Sequence, residues 1–323
     1  MTFRWGIMGA GNIAHRFANC ISKMPDSQLL GIACRTREKT EKFAEWFHTI
    51  DQSVELHQYD SYEDLLLDSE IDAIYLSLPH GLHCHWTLQA LTKHKAVLCE
   101  KPAMLDSAEM RMVSDAAKEN KTLFMEAMKA RFVPAYQEMA SLIRKGVIGD
   151  IIRMETTLCV ELPEMGDTYH YQPGQGGVLL DMGIYLASWL EDWLTGDIIV
   201  KETEVAFKNG IDCYVKAQLL IGGKEAILEC AFDRNKMPAA IITGTKGKIE
   251  VPMLHRMEKF LLVDDNGVNE KVVPYHIDDF YGEIAHFEDC CRRGKLESPI
   301  MSLEASIRCA EILDSIRFEF TNA

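Results

Sequence analysis

Gly9, Gly11 and Ala14 form a GxGxxA pattern directly after the apolar run 5–8 and at the head of an amphipathic segment, 13–24. Small residues at this spacing let a strand turn sharply, let the main chain approach a pyrophosphate, and let the following helix pack closely on the strand. Asn12 and Ile13 would then open the helix, where free amides and the helix dipole favour an anion. The chemistry indicated is dinucleotide binding, because the motif has the strand–turn–helix context it requires.

The next apolar run, 29–34, leads into Arg35, Thr36 and Arg37. A site selective for NAD places Asp or Glu there, to hold the ribose 2′-hydroxyl. Guanidinium groups instead suit a 2′-phosphate, through bidentate charge-assisted bonds. Arg35 and Arg37 are therefore expected to select NADP, with NAD the weaker cofactor.

Three further segments follow in order: Pro79-His-Gly-Leu-His83, Glu100-Lys101-Pro102, and Gly176-Gly-Val-Leu-Leu-Asp181-Met-Gly-Ile-Tyr185. With the glycine turn they resemble the glucose–fructose oxidoreductase/inositol dehydrogenase (Gfo/Idh/MocA) family over nearly the whole chain. Residues 280–287 and 297–299 look like that family's last two helices. The resemblance implies a nicotinamide-dependent oxidoreductase acting on a sugar, diol or other small hydroxy or carbonyl compound. Two positions depart from the common pattern. Tyr185 stands where many members have His, which is similar to the dihydrodiol dehydrogenase/D-xylose dehydrogenase branch, and His80 stands where members often have Asn. Residues 126–134 resemble the dihydrodiol branch as well.

Hydride transfer to or from a carbon bearing oxygen needs a group that moves a proton at that oxygen. Lys101 lies at the carboxyl end of an expected strand, where open α/β sheets hold ligands. Its ammonium can bind the substrate oxygen and stabilise a developing alkoxide. Pro102 cannot continue the strand ladder, so the chain should turn there and present the lysine. Glu100 would orient the lysine or its loop, and Pro79 and His83 would shape the loop around the nicotinamide ribose. Asp181 and Tyr185, four apart on an expected helix, share a face. Tyr185 is the expected proton donor, alone or with Lys101, since a nearby ammonium lowers a phenol's pKa. Asp181 would orient substrate hydroxyls or Lys101. Gly176 and Gly177 would let the backbone approach the nicotinamide. His170 either lines the substrate pocket or faces solvent, and Arg131 either reaches the substrate or pairs with a carboxylate. A metal at His80, His83 and His85 is not expected, because no acidic or Cys ligand accompanies them at a recognised spacing.

These residues need a scaffold that brings strand ends together. Apolar runs at 5–8, 29–34, 73–78, 96–99 and 122–125 read as buried parallel strands. Helix-period segments at 13–24, 37–47, 82–93 and 107–119 alternate with them. That rhythm predicts a doubly wound Rossmann sheet in a dinucleotide-binding domain over 1–127. After it come helical stretches at 134–145 and 178–194 and a strand at 151–160. Turn signals follow at Asn209-Gly210, Gly222-Gly223, Lys246-Gly247 and Asn266-Gly267. Helical segments at 278–293 and 303–318 close the chain. An α+β domain with a mostly antiparallel open sheet is expected over 128–323, serving substrate binding and oligomerisation, with the loop 161–175 lining the pocket.

The chain has 323 residues, a formal net charge of −15 and 47% hydrophobic residues. Its acidity disfavours nucleic acid and anionic membrane surfaces as partners. No run of 18 apolar residues suggests a membrane span. The N-terminus carries no signal-peptide pattern, and ten cysteines without a CxxC pair read as thiols of a reducing cytoplasm. An antiparallel sheet with one open face needs cover, so a homodimer or homotetramer is expected. Two other functions share this scaffold: an NAD-dependent glycosidase using transient oxidation, and a non-catalytic NADP-binding redox sensor. Tyr185 and the arginines fit a dissociable NADP enzyme better than the first. The intact Lys101, Asp181 and Tyr185 set argues against the second.

Overall fold

The structure is a computed structural model and describes residues 2–162 and 168–321. Residues 163–167, part of the expected pocket-lining loop, lie outside the described residues. The chain runs β1 (Phe3–Met8), α1 (Asn12–Ile21), β2 (Ser27–Ala33), α2 (Arg37–Ile50), β3 (His57–Tyr59), α3 (Tyr62–Leu67) and β4 (Ala73–Leu76). It continues through α4 (His83–Thr92), β5 (Ala96–Glu100), α5 (Ser107–Glu119), β6 (Phe124–Ala127), α6 (Pro134–Arg144) and β7 (Ile151–Cys159). A π-helical turn (Leu179–Gly183) leads into α7 (Ile184–Trp193). The strands β8 (Ile198–Lys208), β9 (Ile211–Ile221), β10 (Lys224–Ala231), β11 (Lys236–Gly244), β12 (Lys248–Pro252), β13 (Lys259–Asp264) and β14 (Gly267–Val272) follow. Helices α8 (Tyr281–Arg292) and α9 (Leu303–Thr321) end the chain.

Two compact units form. The first comprises Met1–Ala103, Ala108–Ala127 and His276–Leu303. The second comprises Met104–Ser107, Met128–Tyr275 and Glu304–Ala323. Residues 276–303 fall inside the expected second domain, 128–323, yet they pack in the first unit. The reason is side-chain chemistry that helical periodicity does not report. Glu288 on α8 is buried and accepts hydrogen bonds from Trp5 Nε1 at 2.9 Å, Ser27 Oγ at 2.6 Å and Arg292 at 2.9 Å. Phe287 sets its ring 5.2 Å from Trp5.

The first unit holds a six-stranded parallel sheet in the order β3-β2-β1-β4-β5-β6. This is the Rossmann order, with its topological switch between β1 and β4. The short β3 and α3 were not among the expected elements. Three residues of strand and six of helix are too short for a hydrophobic period to show. Phe17 of α1 stacks on Tyr75 of β4, with centroids 3.7 Å apart and planes 6° from parallel.

The second unit holds an eight-stranded sheet in the order β14-β13-β12-β11-β7-β10-β9-β8. Every pair is antiparallel except β7 with β10. The turn signals sit as expected between strands. Asn209-Gly210 has φ of +53° and +81°, and Gly222-Gly223 has +56° and +80°. Two successive positive φ values make a type I′ turn, whose twist matches an antiparallel hairpin. Helix α7 packs on β7 and β10, against buried Met154, Thr156, Leu158, Ala226 and Leu228.

Candidate active site

The glycine turn is built as a dinucleotide cradle. Gly9 has φ +98°, and a Cβ there would lie 2.6 Å from the carbonyl oxygen of Ser77. Its amide donates to Ala33 O at 2.9 Å, and Ser77 N donates to Met8 O at 3.0 Å, so the turn sits where β1, β2 and β4 end. Gly11 is the extended N-cap of α1, and a Cβ there would meet nothing within 4 Å. No side chain caps α1 and no acidic residue occupies its first turn. Asn12 is exposed and Ile13 half-buried, while Ala14 is fully buried against the sheet. Open space above Gly11 and uncapped amides fit a pyrophosphate.

Arg35 and Arg37 are both exposed but differ in company. Arg37 donates to Glu41 at 2.9 Å and to Asp60 at 2.6 Å. Arg35 forms no ion pair among the described residues. No carboxylate stands at the end of β2 itself, where Ala33, Cys34, Arg35 and Thr36 follow one another. Sequence spacing did not reveal Asp60, because it comes from the far end of β3.

Lys101 follows β5 directly and is half-buried, and its peptide to Pro102 is cis. The loop it stands on is fixed from several sides. Glu100 turns inward, is buried, and accepts a hydrogen bond from the Tyr75 hydroxyl. Lys101 N donates to the other oxygen of Glu100 at 3.2 Å, and Ala103 N donates to Glu126 Oε1 at 2.9 Å. His83 is fully buried, with Nε2 2.7 Å from Leu78 O and Nδ1 3.0 Å from Pro102 O. Both ring nitrogens thus face main-chain carbonyls, and His83 shapes the loop by donating the one N–H of its neutral ring to one of them. Burial lowers its pKa below the ordinary histidine value, against the opposing pull of the carbonyls. Pro79 opens a 3₁₀ turn, His80–Leu82, ahead of α4.

In the second unit, Asp181 lies in the π-helical turn and Tyr185 one residue into α7. The expected single α-helix over 178–194 is therefore broken. π turns are rare and recur at functional sites. Tyr185 is buried, and its ring lies 5.9 Å from that of His255. His170 sits in a 3₁₀ turn, Tyr169–Tyr171, with Nε2 3.9 Å from Asp181 Oδ2. The fold thus brings His170, Asp181 and Tyr185 into one region of this unit. His255 was missed, since one His on a loop between strands carries no spacing signal.

Gly176 and Gly177 have a different reason from the expected one. A Cβ at Gly176 would lie 2.3 Å from His170 O, and one at Gly177 (φ +105°) would lie 2.1 Å from Asp212 Oδ1. They allow close packing inside the unit. Of the two readings of Arg131, the structure shows pairing with a carboxylate. Its guanidinium is buried, bonds Ser188 Oγ at 2.8 Å, and meets Glu191 at 2.5 Å. It secures α7 one turn beyond Tyr185.

Residues 3–128 match the model of an oxidoreductase family with an NAD-binding Rossmann fold, Gfo/Idh/MocA, and residues 136–250 match that family's C-terminal domain. Trans-1,2-dihydrobenzene-1,2-diol dehydrogenase of Xenopus tropicalis is 32% identical, over 97% of this chain and 97% of its own. The chain belongs to the Gfo/Idh/MocA oxidoreductase family. As a member, it is a nicotinamide-dependent dehydrogenase or reductase. The dehydrogenase of the same name from Mus musculus is 30% identical, over 98% of this chain and 96% of its own. Among solved structures, a 3-ketoreductase of Actinomadura kijaniata in complex with NADP and TDP-benzene has the same fold. Its TM-score is 0.87 at 24% identity, covering 98% of each chain. A levoglucosan dehydrogenase in complex with NADH and levoglucosan superposes with TM-score 0.88 at 17% identity, covering 100% of this chain and 98% of the other.

Proposed function

We propose that the chain is an NADP-dependent dehydrogenase of a small trans-diol or sugar, with Lys101 and Tyr185 moving the proton at the reacting oxygen. The observation that carries this reading is the pairing of family membership with an intact Lys101, Asp181 and Tyr185 set. The nicotinamide, when bound, supplies the hydride acceptor or donor. Gly9, Gly11 and the first turn of α1 would hold the pyrophosphate. Arg35, exposed and without an ion pair among the described residues, would take the 2′-phosphate, and Arg37 would share it at the expense of Asp60 and Glu41.

In the oxidative direction a C–H bond of the carbinol breaks with its electron pair, and the O–H proton must leave as the C=O bond forms. The Tyr185 phenolate accepts that proton, while the Lys101 ammonium binds the same oxygen and stabilises its developing charge. In the reductive direction Tyr185 returns the proton to the alkoxide. Asp181 and His170 orient the neighbouring hydroxyl. Relatives named for a trans-diol support this substrate class.

The chain is proposed to form a homodimer or homotetramer through the sheet face turned away from α7. There Glu155, Thr157, Ile227 and Ile241 stand half-buried on neighbouring strands. Light scattering of the purified protein tests the assembly.

The functional test is an absorbance screen of NADP⁺ and NAD⁺ reduction over trans-diols, aldoses and inositols, with dicarbonyls in the reverse direction. Turnover of a diol or sugar with NADP preferred is expected. Cofactor binding with no turnover across the panel contradicts the reading.

A further inference from the structure

A helix that begins with uncapped amides leaves several donors without intrahelical partners and a partial positive charge at its end. The π turn leading into α7 begins this way, since Val178, at its head, offers no side-chain cap. The cap comes instead from another element. Asp212 stands second in β9, immediately after the Asn209-Gly210 turn, and its Oδ2 accepts a hydrogen bond from Leu179 N at 2.7 Å. Oδ1 rests against Gly177, so closely that any Cβ there would collide with it. The residue is half-buried. Burial pushes its pKa up, while the amide of Leu179 pulls it down.

The turn so capped carries Asp181 and, two residues after it ends, Tyr185. Helix α7 beyond the turn is held by Arg131 on Ser188 and Glu191. We propose that Asp212 is a positioning residue: its carboxylate caps the turn and thereby sets where the Tyr185 phenol stands. This rests on the reading of Tyr185 as the proton-transfer group. Displacing a proton donor by about 1 Å costs about a hundredfold in rate without equal loss of binding. A carboxylate that only stabilised the fold would lower the melting temperature and leave kcat alone.

The experiment compares Asp212→Ala and Asp212→Asn, each alone and in the Tyr185→Phe background. Amide hydrogen exchange is followed by mass spectrometry on the peptide 177–186, and NADP⁺ reduction is followed with trans-cyclohexane-1,2-diol as probe. Asp212→Ala should speed exchange in that peptide about tenfold. It should lower kcat about tenfold or more with KM little changed. Asp212→Asn keeps an acceptor oxygen and should stay within about threefold of the parent. In the Tyr185→Phe background, Asp212→Ala should cost little more, because its effect passes through the phenol.

Unchanged exchange in 177–186 overturns the capping claim, and that result needs no turnover. Faster exchange with kcat retained, or a loss that adds fully to that of Tyr185→Phe, overturns the positioning role. If Asp212→Ala does not fold, Asp212→Ser takes its place. If that also fails to fold, Asp212 is a fold determinant and the proposal is wrong. Failure of the underlying reading looks different: Tyr185→Phe alone then keeps the parent rate, or the probe is not oxidised at all while the exchange effect persists.

Discussion

The imidazole of His83 reaches the carbonyl oxygen of Pro102 with Nδ1 at 3.0 Å, and so grips the chain one residue beyond Lys101. Its Nε2 lies 2.7 Å from Leu78 O in the same buried position, and the neutral ring donates its one N–H to one of the two carbonyls. His83→Ala would leave one of the two buried carbonyls without its N–H donor. A loss of about 1–3 kcal/mol in unfolding free energy is expected by urea titration, since an unsatisfied buried acceptor costs that much. A change below about 0.5 kcal/mol, the range of an inert surface substitution, would show that the contact holds nothing.

The same histidine sets a pH dependence. Its pKa in the folded protein lies below the ordinary 6.5, chiefly through burial, and that of His286 is lowered likewise. At pH values between the folded and unfolded pKa the unfolded chain binds more protons, so stability rises with pH there. The contribution is complete above about pH 6.5 and is lost as the pH falls below it. The melting temperature should drop between about pH 7.5 and pH 5.5, and His83→Gln should flatten that drop. Parallel curves for the two proteins would contradict this.

Segment 276–303 is expected to be indispensable to the first unit. Glu288 accepts hydrogen bonds from Trp5, Ser27 and Arg292, and Phe287 covers Trp5. A fragment ending at residue 127 would expose Trp5 and leave the indole N–H without that acceptor. It should aggregate or bind hydrophobic dye, whereas the full chain should not. In the full chain, Glu288→Ala should cost about 2–4 kcal/mol, because it strips several buried or half-buried donors of one charged acceptor. A cooperative thermal transition of the isolated 1–127 fragment would refute the dependence.

Cofactor choice should follow Arg35 more than Arg37. Arg37 already faces Asp60 and Glu41, so a 2′-phosphate must compete for it. Arg35→Ala should raise the Kd for NADPH about tenfold or more and leave that for NADH within about twofold, as expected for one lost charge-assisted phosphate contact. Arg37→Ala should have the smaller effect. Fluorescence titration of both nucleotides measures this, and equal losses for NADPH and NADH would argue against any 2′-phosphate contact.

Much of this was legible in the sequence where local rules decide. The GxGxxA turn, the buried parallel strands and the glycine-containing hairpin signals follow from backbone freedom and apolar runs over a few residues. The partners that position side chains were not legible. Asp212 is one acid in a strand whose importance comes from an amide 33 residues away in sequence. Glu288 reads as one carboxylate on an amphipathic helix until Trp5 is beside it. The π turn escaped because Asp181 and Tyr185, four apart, suit an α-helical period equally well. The roles of Gly176 and Gly177 went the other way: their need for space was plain, but what fills it is Asp212 and the chain at His170.

The most direct test of the central claim is the turnover of Lys101→Met and Tyr185→Phe beside their affinity for NADPH, with the diol or sugar that the parent enzyme oxidises best. Both variants should bind NADPH within about threefold of the parent. Lys101→Met should lose essentially all turnover and Tyr185→Phe at least about tenfold, the share a positioned proton-transfer group contributes. Parent-like turnover by either variant would contradict the assignment of proton transfer to this pair.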